Sequence, residues 1–333
     1  MARVSVLMPV YNGEKYISDA IESVLKQTYT DFEFIIVNDC STDNTENIIK
    51  EYSDDRIKLI TNEKNSGVAK SLNNAVKYCN GEYIARMDAD DISLPERFEK
   101  QVRFLDDNQN IGVVACSTMT FCGDKIINEK GWSNTEPDKI KVDLLFACAI
   151  AHPSVMILKS ALENVGVYDE EYNGIEDYEL WCRISEKYGI ACLPDVLFKY
   201  RIHEAQVSRI VSADIRSKLA SLKRRQLSSL GAELSDSEFE AFCGYSMGEY
   251  KIDIENISVL DNVFYKIVCA NKKSSVYDQR CLSSVLKGII VGTSAGFEKR
   301  DAQRLISQSR LVTNGDYSMY KLKKKIKSLL KRG

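Results

Sequence analysis

Three carboxylates that follow a short apolar run are the residues best suited to chemistry. Residues 83–85 are Tyr-Ile-Ala, and Asp88, Asp90 and Asp91 come soon after them. Like charges this close repel one another, so they need a cation or water between them. Oxygen ligands at this spacing suit Mg²⁺ or Mn²⁺, which proteins often bind through carboxylates together with substrate phosphates. The alternative is an acidic turn that caps the next helix, because Pro95 opens a new helical pattern.

Two other polar features also follow predicted strands. Tyr11 comes after the β-branched run at residues 4–8, and Asp39 comes after the apolar run at residues 34–37. The carboxyl ends of parallel strands meet at one edge of a sheet, where ligands of α/β proteins bind. We therefore expect both side chains to share a crevice with the Asp88–Asp91 cluster.

The order of strand and helix patterns predicts the scaffold of this crevice. Strands alternate with helices of apolar period 3.6, which favours an α/β fold with a doubly wound, mostly parallel sheet. After about residue 210 only helical patterns remain, so we expect one domain at 1–210, a helical region at 211–319 and a tail at 320–333. Further predicted elements are a helix at 66–79, a hairpin joining 111–121 to 125–128, a helix at 137–149 and strands at 152–158 and 191–200.

Composition excludes several classes of protein. The 333 residues carry a net charge of −3, which argues against a general nucleic-acid binder. The ten cysteines form no Cys-x-x-Cys pair and there are only two histidines, so the spacing of a zinc site is absent. Scattered thiols are typical of a reducing compartment. No signal peptide and no apolar run of about 20 residues is present, and we therefore expect a cytoplasmic protein.

The tail has a composition of its own. Residues 321–333 contain seven Lys or Arg and no acid, and Leu322, Ile326, Leu329 and Leu330 fall on one helical face. This pattern is typical of a basic amphipathic helix on an anionic membrane surface, which would make the protein peripheral to the membrane. A solvated tail is the alternative interpretation.

Four motifs, in this order and spacing, resemble those of the family 2 glycosyltransferases. They are MPVYN at 8–12, IVNDCSTD at 36–43, MDADD at 87–91 and IEDYELW at 175–181, and the resemblance covers about residues 1–210. The family implies a GT-A fold and an inverting sugar transfer from a nucleotide-sugar donor. Asn38 stands where many members have a second Asp.

The resemblance implies roles for residues on the donor side. Pro9 and Tyr11 match the motif that contacts the nucleotide base, and Asp39 matches the acid that hydrogen-bonds the base, usually uracil. Asp90 matches the acid in direct contact with the metal, Mg²⁺ or Mn²⁺. Asp88 matches a residue at the ribose or in the outer coordination shell.

The resemblance also implies roles on the acceptor side. Asp177 matches the general base, and Glu176 would shape the acceptor pocket. Asp177 could instead be a charge that stabilises a helix N-terminus. His203 follows the last predicted strand, where related enzymes often place a metal or diphosphate ligand, although a surface histidine is an equal alternative.

Other residues are candidates with open alternatives. Lys70 and Asn73 could reach the donor, although a solvated helix face explains them equally well. His152 is expected at the acceptor cleft or in the core. Trp132 could stack on an acceptor sugar, and the alternative interpretation is a partly buried side chain with no role in binding.

Together these features predict a metal-dependent inverting glycosyltransferase. The expected donor is a UDP-sugar and the expected acceptor is a glycan or a lipid-linked glycan. One alternative is a sugar-nucleotide nucleotidyltransferase, against which the loop at residues 9–13 counts, since it has one glycine and no nearby arginine. The other is a non-catalytic protein that binds a glycan or a nucleotide.

Overall fold

The computed structural model describes residues 2–128, 136–203, 212–250 and 253–330, with side chains as far as residue 324. The chain divides into two compact units. Unit 1 contains residues 1–144 and 148–218, and unit 2 contains residues 145–147 and 219–333.

A mixed sheet forms the centre of unit 1. Its strand order is β3-β2-β1-β4-β8-β6-β9-β5, with β7 paired to β6. The described strands are β1 (Val4–Val10), β2 (Phe32–Asn38), β3 (Ile57–Thr61), β4 (Tyr83–Arg86), β5 (Ile92–Ser93), β6 (Ile111–Cys122), β7 (Lys125–Asn128), β8 (Met156–Leu158) and β9 (Gly189–Arg201).

The first four strands in space, β3, β2, β1 and β4, are parallel, as the sequence predicts. Val4, Val6 and Met8 of β1 are fully buried, because helices cover a parallel sheet and leave its strands without a solvent face. In the register of the sheet, Val10 lies opposite Asn38, and Leu7 lies opposite Arg86. The carboxyl ends of β1, β2 and β4 therefore meet at one edge.

The second half of the sheet is mixed. Strand β8 runs antiparallel to both β4 and β6, whereas β9 runs parallel to β6. The strand predicted at 152–158 is shorter than expected: His152–Ser154 forms a 3₁₀ helix, and only Met156–Leu158 joins the sheet. Pro153 accounts for the difference, since proline lacks the N–H that a central strand donates.

Helices connect these strands. They are α1 (Ile17–Leu25), α2 (Thr45–Lys50), α3 (Val68–Val76), α4 (Arg97–Asp107), α5 (Pro137–Asp143), α6 (Lys159–Val165) and α7 (Glu176–Lys187). The helix predicted at 137–149 ends at Asp143, and α6 has no counterpart among the predicted elements. The α/β fold class is confirmed.

Unit 2 is helical where it is described. Its helices are α9 (Asp236–Ser246), α10 (Ile254–Ser274), α11 (Gln279–Ser294), α12 (Lys299–Gln308) and α13 (Asn314–Leu330), and α8 (Ala213–Leu230) spans the boundary between the units. A capping box of Ser235 and Glu238 begins α9, and the side chains of Asp253 and Asp278 cap α10 and α11. Among the described helices, none has the length and apolar character needed to cross a bilayer.

Candidate functional site

The three carboxylates gather immediately after β4. One oxygen each from Asp88, Asp90 and Asp91 can be chosen so that the three atoms lie within 4.8 Å of one another. Asp91 is fully buried, and among the described residues its Oδ2 has no hydrogen-bond partner. A bare carboxylate oxygen beside two other acids is costly unless a cation balances it. The group therefore fits a divalent metal ion.

Burial and mutual repulsion shape the titration of this cluster. Burial raises the pKa of Asp91 well above its ordinary value, and the charges of Asp88 and Asp90 add to the effect. Burial also raises the pKa of Asp88, although the guanidinium of Arg86 opposes the change. A bound cation would reverse this penalty, because it favours the ionised form of every carboxylate around it.

Basic residues that are distant in sequence contact the cluster. The ring of His203 lies with Nε2 2.8 Å from Oδ2 of Asp90, which brings together two of the predicted metal residues. The backbone N–H of Arg201 donates to Oδ1 of Asp91, and its Nε donates to the carbonyl of Asp90 at 2.6 Å. The end of β9 and the residues that follow it thus supply partners that fix the loop after β4.

Asp39 and Tyr11 lie at the ends of β2 and β1. Tyr11 is half exposed, so its ring is open to a ligand, and Pro9 is half-buried in β1. The buried Asp39 carboxylate accepts hydrogen bonds from the Asn62 side chain and from the backbone N–H groups of Ser66 and Gly67. A carboxylate has about four acceptor positions, so Asp39 retains limited capacity for a nucleobase.

Glycine permits the loop that Asp39 holds. Gly67 has a φ of +83°, a left-handed conformation that side chains rarely adopt, and α3 begins at the next residue. Asn38, the departure from the common family pattern, is buried, with its amide donating to Glu46 at 3.0 Å and accepting from the N–H of Ser41. It therefore stabilises the loop after β2.

The predicted base lies in the first turn of α7. Oδ1 of Asp177 accepts from the N–H of Tyr178 at 2.7 Å, and Oδ2 lies 3.5 Å from the thiol sulfur of Cys148. Burial raises the pKa of Asp177, whereas these two donors and Arg86 oppose the rise. A carboxylate in this state is a stronger base than a solvated aspartate.

Glu176 is buried next to the base. Its Oε2 accepts from the N–H of Gly174 at 2.5 Å, and Gly174 has a φ of +97°. Burial raises the pKa of Glu176, and the charge of Asp177 adds to this effect. Glu176 thus fixes the turn that leads into α7, next to the position predicted for the acceptor.

Arg86 connects the two acidic groups electrostatically. Its buried guanidinium forms an ion pair with Asp88 and also favours the charged forms of Asp177 and Glu176. The charge of Asp177 is in turn among the causes of the raised pKa of Asp88. The carboxylates after β4 and the acids of α7 therefore influence one another electrostatically.

The remaining predicted residues differ in position. The amide of Asn73 makes two hydrogen bonds to the backbone of Tyr168, so in this structure it positions that segment, and Lys70 is exposed on α3. His152 is buried, with Nε2 2.9 Å from the hydroxyl of Tyr168, and burial lowers its pKa well below the usual value. It belongs to the core, one of its two expected places. Trp132 lies outside the described residues.

Sequence comparisons identify the family. A model described as glycosyl transferase family 2 matches residues 5–166. A protein of Haemophilus influenzae described as an uncharacterized glycosyltransferase is 30% identical over 289 residues, which make up 82% of this chain and 88% of that protein. The chain belongs to glycosyl transferase family 2. The predicted family is therefore confirmed, and the alternatives of a nucleotidyltransferase and a non-catalytic binder give way to a glycosyltransferase.

Two other relatives extend the comparison of this family 2 glycosyltransferase. WfgD of Escherichia coli, described as UDP-Glc:alpha-D-GlcNAc-diphosphoundecaprenol beta-1,3-glucosyltransferase, is 35% identical over 208 residues, or 62% of this chain and 79% of that protein. TarS of S. aureus, solved with UDP-GlcNAc, has a TM-score of 0.60 at 20% identity and covers 91% of this chain and 89% of the solved chain. The likeness to TarS concerns the fold, and it agrees with a GT-A enzyme.

Sequence reasoning did not single out Arg86 or Cys148. Arg86 could have been noticed, because it is two positions before Asp88 at a strand end and alternation places both on one side. Cys148 gave no such signal, since 29 residues separate it from Asp177.

Proposed function

We propose that this protein is a metal-dependent inverting glycosyltransferase with a UDP-sugar donor and Asp177 as general base. The shared electrostatic neighbourhood of Asp88, Arg86 and Asp177 carries the proposal. This proximity supports a single site in which the residues proposed to bind the donor lie near the residues proposed to bind the acceptor. The UDP preference is supported by the relative WfgD, which is described as using UDP-Glc. We take residues 1–210 as the catalytic domain and 211–319 as a separate helical region.

The donor would lie along the carboxyl edge of β1, β2 and β4. Tyr11 offers an exposed ring for stacking on the base, with Pro9 beside it, and Asp39 offers its remaining acceptor position to a base N–H. Asp88 would accept from the ribose, and Lys70 on α3 adds a cation that can approach the phosphates. These contacts bind and orient the donor without acting on the sugar itself.

A divalent cation, Mg²⁺ or Mn²⁺, would be held by Asp90 with Asp88 and Asp91, and His203 is the basic partner next to Asp90. When bound, such a cation neutralises charge on the diphosphate leaving group. The residues of the chain fit this role because a buried oxygen of Asp91 has no hydrogen-bond partner among the residues that the structure describes.

Asp177 would take the proton of the acceptor hydroxyl. As that proton moves to the carboxylate, the acceptor oxygen bonds to the anomeric carbon, and the diphosphate departs with the electrons of the broken bond. A single base and a direct displacement invert the configuration at that carbon. Glu176 shapes the acceptor side by fixing the turn before α7.

The test separates chemistry from donor binding. Asp177→Asn should lower transfer by about 10³-fold or more while UDP-sugar binding measured by calorimetry is retained. Asp90→Ala should instead abolish Mn²⁺-dependent UDP binding. A hydrolysis screen of UDP-, GDP- and dTDP-sugars with either metal identifies the donor. Undiminished transfer by Asp177→Asn would refute the assignment of the base.

The proposed acceptor is a glycan on a lipid diphosphate carrier. The support is the acceptor in the description of WfgD, a relative that matches 62% of this chain. The enzyme should transfer sugar to a synthetic GlcNAc-diphospho-lipid at least tenfold faster than to free GlcNAc, because free GlcNAc lacks the diphosphate and the lipid that the proposed acceptor would use for binding. Equal rates on both acceptors would refute this choice.

We also propose that the end of α13 contacts an anionic membrane surface from the cytoplasmic side. Met319 and Leu322 are each more than half exposed, and Lys321, Lys323 and Lys324 beside them are exposed as well. Apolar side chains flanked by cations bind to anionic lipid interfaces. In a flotation assay with anionic liposomes, removal of residues 320–333 should abolish binding. Unchanged flotation of the truncated protein would contradict the proposal.

A further inference from the structure

We propose that Cys148 is a positioning residue that holds the Asp177 carboxylate for catalysis. The thiol lies between two acceptors, with its sulfur 3.5 Å from Oδ2 of Asp177 and 3.4 Å from the carbonyl oxygen of Ile150. This inference rests on the proposed role of Asp177 as the base and extends it to a residue far away in the sequence.

The contacts of Asp177 show what the thiol adds. Oδ1 is held by the N–H of Tyr178, a donor on the same helix. Oδ2 accepts a hydrogen bond from the thiol of Cys148. The carboxylate is thus fixed at both oxygens, which sets its rotation and leaves the other lone pairs for an incoming hydroxyl.

The segment that carries Cys148 is itself attached to α7. The hydroxyl of Tyr178 donates to the carbonyl of Leu144 at 2.7 Å. Asp177 and Tyr178, which are neighbours in α7, are therefore hydrogen-bonded to Cys148 and Leu144, which are four residues apart in the chain. Tyr178 is buried, and Cys148 is half-buried. This second contact keeps the thiol at a constant place relative to the base.

A thiol has one hydrogen and therefore serves one acceptor at a time. While Asp177 is ionised, the S–H donates to Oδ2 and stabilises its charge. Once Asp177 has taken the proton of the acceptor hydroxyl, the S–H can turn to the carbonyl of Ile150, so the thiol keeps an acceptor in both states. Burial holds the pKa of the thiol well above its usual value, so it stays protonated throughout.

Several charged and titratable groups face Asp177. Arg86 favours its ionised form, whereas Glu176 and Asp88 act as like charges. Tyr168 has its own pKa raised by burial and stays a neutral hydroxyl. Cys148 differs from Arg86 because it donates to the carboxylate directly.

The experiment compares pH profiles of kcat for the full-length enzyme and for Cys148→Ala and Cys148→Ser. Cys148→Ala should move the acid limb up by about half to one pH unit and lower kcat about three- to tenfold, because the ionised base loses a donor. Cys148→Ser should recover much of both, since a hydroxyl also donates. The KM for the donor should not change in either variant.

Cys122→Ala serves as the matched control, because Cys122 is exposed at the end of β6. It should leave the profile unchanged. The proposal is overturned if Cys148→Ala and Cys148→Ser both keep the wild-type acid limb while Asp177→Asn is inactive. If Asp177→Asn is active, the proposed base is wrong, which is a separate and distinguishable failure. Thermal melts of each variant show that the proteins are folded at the assay temperature.

Discussion

Two buried aspartates at the same edge of the sheet are satisfied in opposite ways. Asp39 is 4% exposed and accepts hydrogen bonds from three residues, two of them through the backbone. Asp91 is fully buried and accepts from the N–H of Arg201, while its other oxygen lacks a hydrogen-bond partner within the described part of the chain. The same side chain thus serves to build a loop in one place and leaves an unmet charge in the other.

The difference shows at which of the two aspartates the protein itself supplies enough hydrogen-bond donors to stabilise a buried charge. Around Asp39 the protein supplies the donors that a buried charge requires, so the loop can keep its shape without a ligand. Around Asp91 it adds two more carboxylates and leaves the charge uncompensated, a state that costs stability and that a bound cation would relieve. Asp177 lies between these extremes, with one firm donor and one weak donor.

Arg86 offers the largest effect with which to test this contrast. Arg86→Met removes the cation that forms an ion pair with Asp88, and we expect the free energy of unfolding to fall by about 2–4 kcal/mol, because the half-buried Asp88 is left beside two other acids without this partner. The matched change Arg3→Met breaks an exposed pair with Glu82 and Asp106 and should cost about 1 kcal/mol or less. Urea denaturation measures both, and equal losses would contradict the picture.

Substitution of Asp91 tests the link between the unmet charge and the metal. Asp91→Asn should raise the Mn²⁺ concentration needed for half-maximal transfer about 10- to 100-fold. Loss of a residue that supports the ligands of a metal ion typically weakens metal binding by this factor. Asp39→Asn should raise the donor KM and leave that concentration unchanged. An unaltered metal requirement in Asp91→Asn would show that Asp91 has no part in the metal site.

The same two variants should differ in stability in metal-free buffer. Asp39→Asn replaces an acceptor with a donor that faces other donors, so we expect a loss of about 1–3 kcal/mol in the free energy of unfolding. Asp91→Asn removes a charge that the fold does not compensate and should be neutral or stabilising. Denaturation in the presence of a chelator decides this, and a greater loss for Asp91→Asn would reverse the interpretation of the two sites.

The smallest effect is the pH dependence of catalysis. The proposed base must be ionised to accept a proton, and burial raises the pKa of Asp177, so activity should be lost as the pH falls through a value above the ordinary aspartate range of about 4. Below that value kcat should fall about tenfold per pH unit. A profile measured with saturating donor and metal checks this, and a flat rate down to pH 4 would exclude a raised pKa.

Much of the scaffold follows from local pattern. The apolar runs of β1 and β2 and the helical period at 66–79, where α3 lies, depend on neighbouring residues, and the sequence predicts them correctly. The four ordered motifs also predict the family, and the register of the parallel strands then brings Tyr11, Asp39 and Asp88 to one edge. The helix end at Asp143 and the 3₁₀ helix at His152–Ser154 were not predicted. Tertiary packing outweighs the local helical preference in the first case, and Pro153 outweighs the strand preference in the second.

The sequence by itself determined the order of the elements and the acids that chemistry needs. The tertiary structure alone decided the partners of two candidate residues: Cys148 for Asp177, and the backbone of Tyr168 for Asn73. Such pairs join residues from separate elements, and short-range periodicity carries no information about them. Which buried charge is compensated depends on how strands and loops pack, and this packing leaves Asp91 ready for a cation while Asp39 is already satisfied.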